Sequence, residues 1–244
     1  MDALTLFTQL DTWIALLTLT FLEVVLGIDN IIFISIVSNK LPEHMQGKAR
    51  RVGLLLALVM RILLLLGITF IIQFTQPILT ILDFELSGRD LILSIGGLFL
   101  LAKSTTEIHH KIEGEAEESQ TKKAVAGFFS VIVQIIFLDI IFSFDSILTA
   151  VGLTDHVIIM IIAVIISILI MMAFAGPISD FINKHPTLQI LALSFLILIG
   201  FMLVLEGLHF HVPKGYIYFA VAYSLGVEVL NMRIRGKKKK LENV

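Results

Sequence analysis

The sequence predicts an all-α membrane protein: seven transmembrane helices, built as two inverted three-helix repeats with a seventh helix added. Three observations predict it. Of the 244 residues, 57% are hydrophobic and the mean hydropathy is +0.96, with several apolar runs long enough to cross a bilayer. A spanning helix needs roughly 20 mostly apolar residues. A short motif with two acidic positions occurs twice in the chain. Finally, Lys and Arg are segregated to the connections on one side of the expected membrane.

Apolar runs read against charge and turn punctuation place the helices at about 13–38, 52–73, 89–105, 124–152, 157–177, 188–206 and 214–232. The first begins at Trp13 and is expected to stay in the mature protein. Asp2 and Asp11 precede it where a signal peptide would carry basic residues, and its apolar run is too long for one. A polar segment from Asn39 to Arg51, holding Pro42 and Gly47, separates it from the second helix, which carries Arg61. The third is the shortest, because Lys103 cuts its apolar stretch. The acidic stretch 105–123 leads to the fourth helix, and helices five to seven follow with short connections. No segment between them is long enough for a second domain. The expected organisation is a single transmembrane domain: repeat 1 at about 13–105, repeat 2 at about 124–206, the extra helix at about 214–232 and a basic tail at 233–244.

Charge sets the expected orientation. With the N-terminus outside, the inner loops and the tail hold fourteen Lys and Arg, against Arg89 and Lys214 outside. Cytoplasmic loops carry the excess of basic residues, so the N-terminus is expected out and the C-terminus in. Trp13, Tyr216 and Tyr218 fall near helix ends, as interfacial aromatics do. The run Lys237–Lys240 reads as an anchor on anionic lipid. No stretch combines basic and aromatic residues as a nucleic-acid surface would, so lipid is the expected partner and nucleic acid is not. Cys is absent, which excludes disulfides, thiolate metal ligands and a thiol nucleophile.

The repeated motif carries the chemistry. Residues 21–32 read FLEVVLGIDNII and residues 137–148 read FLDIIFSFDSIL, at a constant separation of 116 without a gap. Glu23 pairs with Asp139, Asp29 with Asp145, and Asn30 with Ser146. A fainter echo pairs GGLFLLAKS (96–104) with IGFMLVLEG (199–207), matching Lys103 to Glu206. Three helices per repeat is an odd number, so the halves insert with opposite orientation, the architecture of many secondary transporters. On a continuous helix, acids six residues apart sit about 120° apart around the axis. Glu23 and Asp29 could then face one ion only if the helix loosened between them. Gly27, with Ser143 at the matching place in the second half, is where both motif helices are expected to unwind.

Six carboxylates fall within the predicted spans: Glu23, Asp29, Asp139, Asp145, Glu206 and Glu228. Arg61 and Lys103 are the cations set against them. A centrally placed Asp costs about 2.5–3.5 kcal/mol even on the lenient insertion scale, so intramembrane acids are functional by default. A resident cation, or protonation, would offset the charge. The carboxylates with the Asn30 amide and the Ser146 and Thr149 hydroxyls form an all-oxygen set, which favours Mg²⁺, Ca²⁺ or Mn²⁺ over softer metals. Arg61 is expected as a counter-ion; the alternative reading of Glu23 with Asp139 and Asp29 with Asp145 is structural, paired with Arg61 and Lys103 to hold helices together, and Asn30 and Ser146 could also cap a broken helix. Glu206 and Glu228 lie near helix ends, where a solvated acid and a site residue are equally good readings. His209 and His211 read as surface residues of a short outer loop, His109 and His110 belong to a solvated acidic stretch, and the eight Met read as apolar filling.

GIDN in the first helix with FSFDS in the fourth resembles the TerC family of integral membrane proteins, and the likeness runs through HVPKGYIYFA (211–220). The resemblance implies seven helices, an inverted repeat and export of Mn²⁺ from the cytoplasm. It implies a metal site made of Glu23, Asp29, Asn30, Asp139, Asp145 and Ser146. It also implies relatives with cytosolic CBS domains, an extension not found in these residues. The expected home is a bacterial inner (plasma) membrane. The expected function is a secondary transporter exporting a divalent cation, Mn²⁺ first and Ca²⁺ or Mg²⁺ as alternatives, by alternating access and in exchange for protons. No prosthetic group and no enzyme activity is expected, and no phosphate-cradling Gly-rich loop appears. Two rivals remain: an intramembrane aspartyl protease using Asp29 and Asp145, and an exporter of a small organic solute, whose carboxylate the clustered acids would repel.

Overall fold

A computed structural model describes residues 7–81, 84–113 and 124–242. The chain is almost entirely helical there. Its elements are α1 (Leu10–Ser38), α2 (Glu43–Leu66), α3 (Ile68–Gln73), β1 (Pro77–Ile81), β2 (Phe84–Ser87), α4 (Gly88–Glu113), α5 (Ala124–Val151), α6 (Val157–Asn183), α7 (Pro186–Gly207) and α8 (Lys214–Glu242). Six helices, α1 and α4 to α8, are long and apolar enough to cross a membrane. The second expected span differs. It is divided at Gly67 into α2 and α3, and α2 carries Lys48, Arg50, Arg51 and Arg61, which keeps it out of that set.

The helices outrun the apolar segments that predicted them. α2 starts nine residues before 52, α4 continues to Glu113 and α6 to Asn183. α8 runs through the basic tail to Glu242. Apolarity reports contact with lipid, whereas a helix continues into water as long as its backbone bonds and local pairs support it. His109 and Glu113, four residues apart and bonded at 3.1 Å, are such a pair. Pro177 sits inside α6 without ending it. The acidic stretch is thus helical to Glu113, and its remainder, 114–123, lies outside the described residues.

The described residues divide into two compact units. The first comprises residues 7–92 and 124–180. Here α2 packs along α5, and both meet α1. Gly53, Ala57, Arg61 and Leu65 recur every four residues on the buried face of α2. A Cβ added to Gly53 would lie 2.9 Å from Ile135 of α5, so the missing side chain is what lets the two helices approach. Arg50 donates to the Ser179 hydroxyl at 2.8 Å, tying α2 to the far end of α6. A two-stranded antiparallel hairpin pairs Thr80 with Glu85 and Leu79 with Leu86, and delivers the chain to α4.

The second unit comprises residues 93–113 and 181–242, that is, most of α4 with α7 and α8. α4 and α7 cross through Gly97 and Gly200: a Cβ on Gly97 would sit 2.5 Å from the Gly200 carbonyl oxygen, and one on Gly200 2.9 Å from that of Gly97. Small residues permit this backbone approach, the usual means of helix association in lipid. α7 ends at Gly207 and the turn after it places His209 at φ 66°, with the Phe210 amide bonded back to Leu205. His209 therefore closes a helix. α8 is different, because no residue of its apolar span is buried. Tyr216, Phe219, Tyr223 and Leu230 all face outward, as lipid-contacting side chains do.

The two glycine environments give a test of this packing. Gly97→Ala should destabilise the protein by about 1–3 kcal/mol, since neither opposing backbone can yield easily. Gly226→Ala, where an added Cβ meets nothing within 4 Å, should be neutral or slightly stabilising. Thermal unfolding of both variants in detergent checks the pair, and equal shifts would contradict the crossing.

Candidate ion-binding site

The first acids of the two motifs meet on one guanidinium. Glu23 comes from α1, Asp139 from α5, and Arg61 from the buried face of α2 between them. Asp139 Oδ1 accepts from Arg61 Nε at 3.1 Å and from Nη2 at 2.9 Å, and Glu23 Oε2 accepts from Nη1. Asp139 Oδ2 accepts from the Ser143 hydroxyl at 3.3 Å. All three charged groups are buried, with exposures of 4%, 3% and 5% for Glu23, Arg61 and Asp139. The rigid donor fork of arginine suits such a bridge, because its N–H groups diverge to serve two carboxylates at once. Removing one member of a buried ion pair typically costs about 3–5 kcal/mol, so the triad fixes α1, α2 and α5 against each other.

Beside it lies a cavity of about 10 Å³, lined by Glu23 with Leu19, Leu65, Ile147, Met160 and Ala163 among others. Its apolar walls and its size, near the lower limit for a single water, leave no room for a hydrated ion.

The second acid of the α5 motif has another partner. Asp145 Oδ1 lies 3.3 Å from Arg89 Nη2, with the two side chains 13% and 18% exposed. Arg89 is held there by local structure. Ser87 and Asp90 form a reciprocal cap at the start of α4: the Ser87 amide and hydroxyl donate to Asp90 Oδ2 at 2.9 and 2.6 Å, and the Asp90 amide donates to Ser87 Oγ at 3.2 Å. The Arg89 amide in turn donates to the Phe74 carbonyl at 3.0 Å. Sequence reading had set Arg89 among the outer charges. The Ser-x-x-Asp spacing after the β-branched segment was the signal that could have placed it at a helix start.

The expected unwinding does not occur. α1 and α5 run as unbroken α-helices past Gly27 and Ser143. Both residues serve other ends. A Cβ on Gly27 would collide with the Met171 sulfur, so its bareness admits α6. Ser143 spends its hydroxyl on Asp139. The caps assigned to Asn30 and Ser146 are accordingly not needed: both are buried, and Ser146 donates within its own helix to the Ser143 carbonyl at 3.3 Å. Thr149 likewise donates to the Asp145 carbonyl at 3.0 Å. With the helix intact, Asp139 and Asp145 diverge around α5, one meeting α2 and the other the start of α4.

Asp29 belongs to α1, and its side chain lies outside the described residues. Among the described residues, no three His, Asp or Glu side chains converge as a metal site. Lys103 and Glu206 are half-buried members of the second unit. Glu228 is also there, in a groove of about 390 Å³ between α7 and α8 with Ser194, Tyr223 and Ser224, and accepts from Asn231 at 3.4 Å.

Relatives place the chain. It is 55% identical over 234 residues to the UPF0053 inner membrane protein YgdQ of Escherichia coli (strain K12), which covers 96% of this chain and 98% of that one. A UPF0053 protein of Haemophilus influenzae is 49% identical over 225 residues, covering 92% and 95%. The UPF0053 inner membrane protein YoaE of Escherichia coli (strain K12) is 48% identical over 223 residues, 91% of this chain but 43% of that longer one. No solved structure matches. The family match, to the integral membrane protein TerC family, runs from residue 8 to 242. With six membrane-length helices among the described residues and a match of that extent, the chain belongs to the TerC family of integral membrane proteins.

Proposed function

We propose that this protein is a secondary transporter that exports a divalent cation, with Mn²⁺ as the cargo, from the cytoplasm by alternating access and in exchange for protons. The observation that carries this reading is the meeting of Glu23 and Asp139, counterparts in the two motifs, on a single buried positive group. A protein that buries paired carboxylates in its membrane interior spends stability on them, and cation handling is the chemistry that repays such an arrangement. The cargo ligands in this reading are Glu23, Asp29, Asn30, Asp139, Asp145 and Ser146. In the state described, Arg61 and Arg89 hold three of those acids.

Two contacts support an inverted repeat. Glu23 shares Arg61 with Asp139, and Gly97 touches Gly200, its counterpart in the fainter echo. Residues on a two-fold axis meet their own counterparts, and each compact unit contains one such meeting. In this architecture α2 with α3 is the second span and α8 the seventh, outside the repeat. The inner-membrane names of YgdQ and YoaE, together with the basic loops, support an inner-membrane location with the N-terminus out and the C-terminus in. The protease reading is less well supported, because a shared-proton dyad needs two acids, whereas the repeated motif carries a further acid in each half, Glu23 and Asp139.

Asp29→Ala and Asp145→Ala should each leave the protein in the membrane and reduce Mn²⁺ efflux from proteoliposomes, under a set pH gradient, to the level of empty vesicles. Normal efflux by either variant would remove that acid from the site. For topology, a reporter that fluoresces only in the cytoplasm should light when fused to the C-terminus and stay dark at the N-terminus. The opposite pattern would reverse the orientation.

A further inference from the structure

We infer that Arg61 sets the selectivity of the acid pair, by occupying the place a cargo ion would take and admitting only a cation that neutralises the pair better than it does. This rests on the transporter reading above.

The geometry makes occupancy exclusive. Three of the guanidinium's N–H groups are committed to Glu23 and Asp139, and the adjoining cavity of about 10 Å³ cannot take a hydrated ion beside it. An ion reaches these two carboxylates by replacing the guanidinium. A guanidinium does not surrender its proton inside a protein, so Arg61 leaves by exchange and not by deprotonation.

Charge then discriminates. Two carboxylates against one guanidinium leave the buried triad at a formal −1. A monovalent ion in place of Arg61 leaves the same −1 and forfeits three oriented hydrogen bonds, so Na⁺ and K⁺ gain nothing. A divalent ion brings the pair to zero, in surroundings where residual charge is least tolerated. The two halves supply the acids evenly and the cation unevenly: α6 has no charged residue from Val157 to Ser179, and the guanidinium comes from α2 alone. One resident charge against two acids is the imbalance that a doubly charged cargo corrects.

The test uses the full chain purified in detergent, with thermal unfolding followed as MnCl₂ or KCl is added. Arg61→Gln should be stabilised by Mn²⁺ at concentrations about tenfold or more below those the wild type requires, because the competing positive charge is gone. It should also respond to K⁺, which the wild type ignores. Arg61→Lys, which keeps the charge, should retain the wild-type preference. The neutral triple variant Glu23→Gln/Arg61→Gln/Asp139→Asn should answer to neither ion. The idea is overturned if Arg61→Gln and the wild type show the same Mn²⁺ midpoint. It is equally overturned if the triple variant responds as Arg61→Gln does, or if Arg61→Gln stays unfolded in Mn²⁺ while the triple variant folds. Efflux from wild-type proteoliposomes, measured in parallel, separates the two ideas: no divalent flux would end the transport reading while the unfolding responses still decide the role of Arg61.

Discussion

The first compact unit packs around three charged side chains, Glu23, Arg61 and Asp139, each no more than 5% exposed. Carboxylates in a low-dielectric interior are tolerated only with a partner at hydrogen-bond distance, and Arg61 supplies one for both Glu23 and Asp139. That demand dictates the packing. Arg61 must emerge from the buried face of α2, so the residues one and two turns before it, Ala57 and Gly53, are small enough to bring α2 against α5. α1 must stand on the other side, and Gly27 keeps it close to Met171 of α6.

The second acid layer follows a different rule. Asp145 and Arg89 keep some access to solvent and touch at 3.3 Å. Solvent screens such a pair more than a fully desolvated one. The two acids of the α5 motif thus differ in exposure.

Much of this was legible in the residues. Hydropathy located every membrane-length helix, and the paired motif singled out Glu23 and Asp139 before any geometry was known. What hydropathy could not give were helix ends, because His109–Glu113 and the tail after Met232 stay helical for reasons unrelated to lipid. Nor could it give the integrity of α1 and α5. Gly27 suggested a weak point when seen alone, and only its neighbour in space, Met171, explains it. The same holds for Arg89: one residue after a glycine, it looked like a loop charge, and its role came from the hairpin and the reciprocal cap around it. Pairings across the chain are tertiary facts, and a single sequence states the candidates without the matches.

The hairpin between α3 and α4 has a mechanical consequence. Its second strand ends at Ser87, which is already the cap of α4, and Arg89 is bonded through its own amide to Phe74 on the hairpin's near side. Only Gly88, already the first residue of α4, separates the strand from the arginine. The ribbon's end therefore sets where a positive charge stands: lengthening or re-registering its second strand by even one residue would be felt at Asp145, on a helix the ribbon precedes by some forty residues of chain. Sites of change in this protein need not touch an acid to govern how that acid is held.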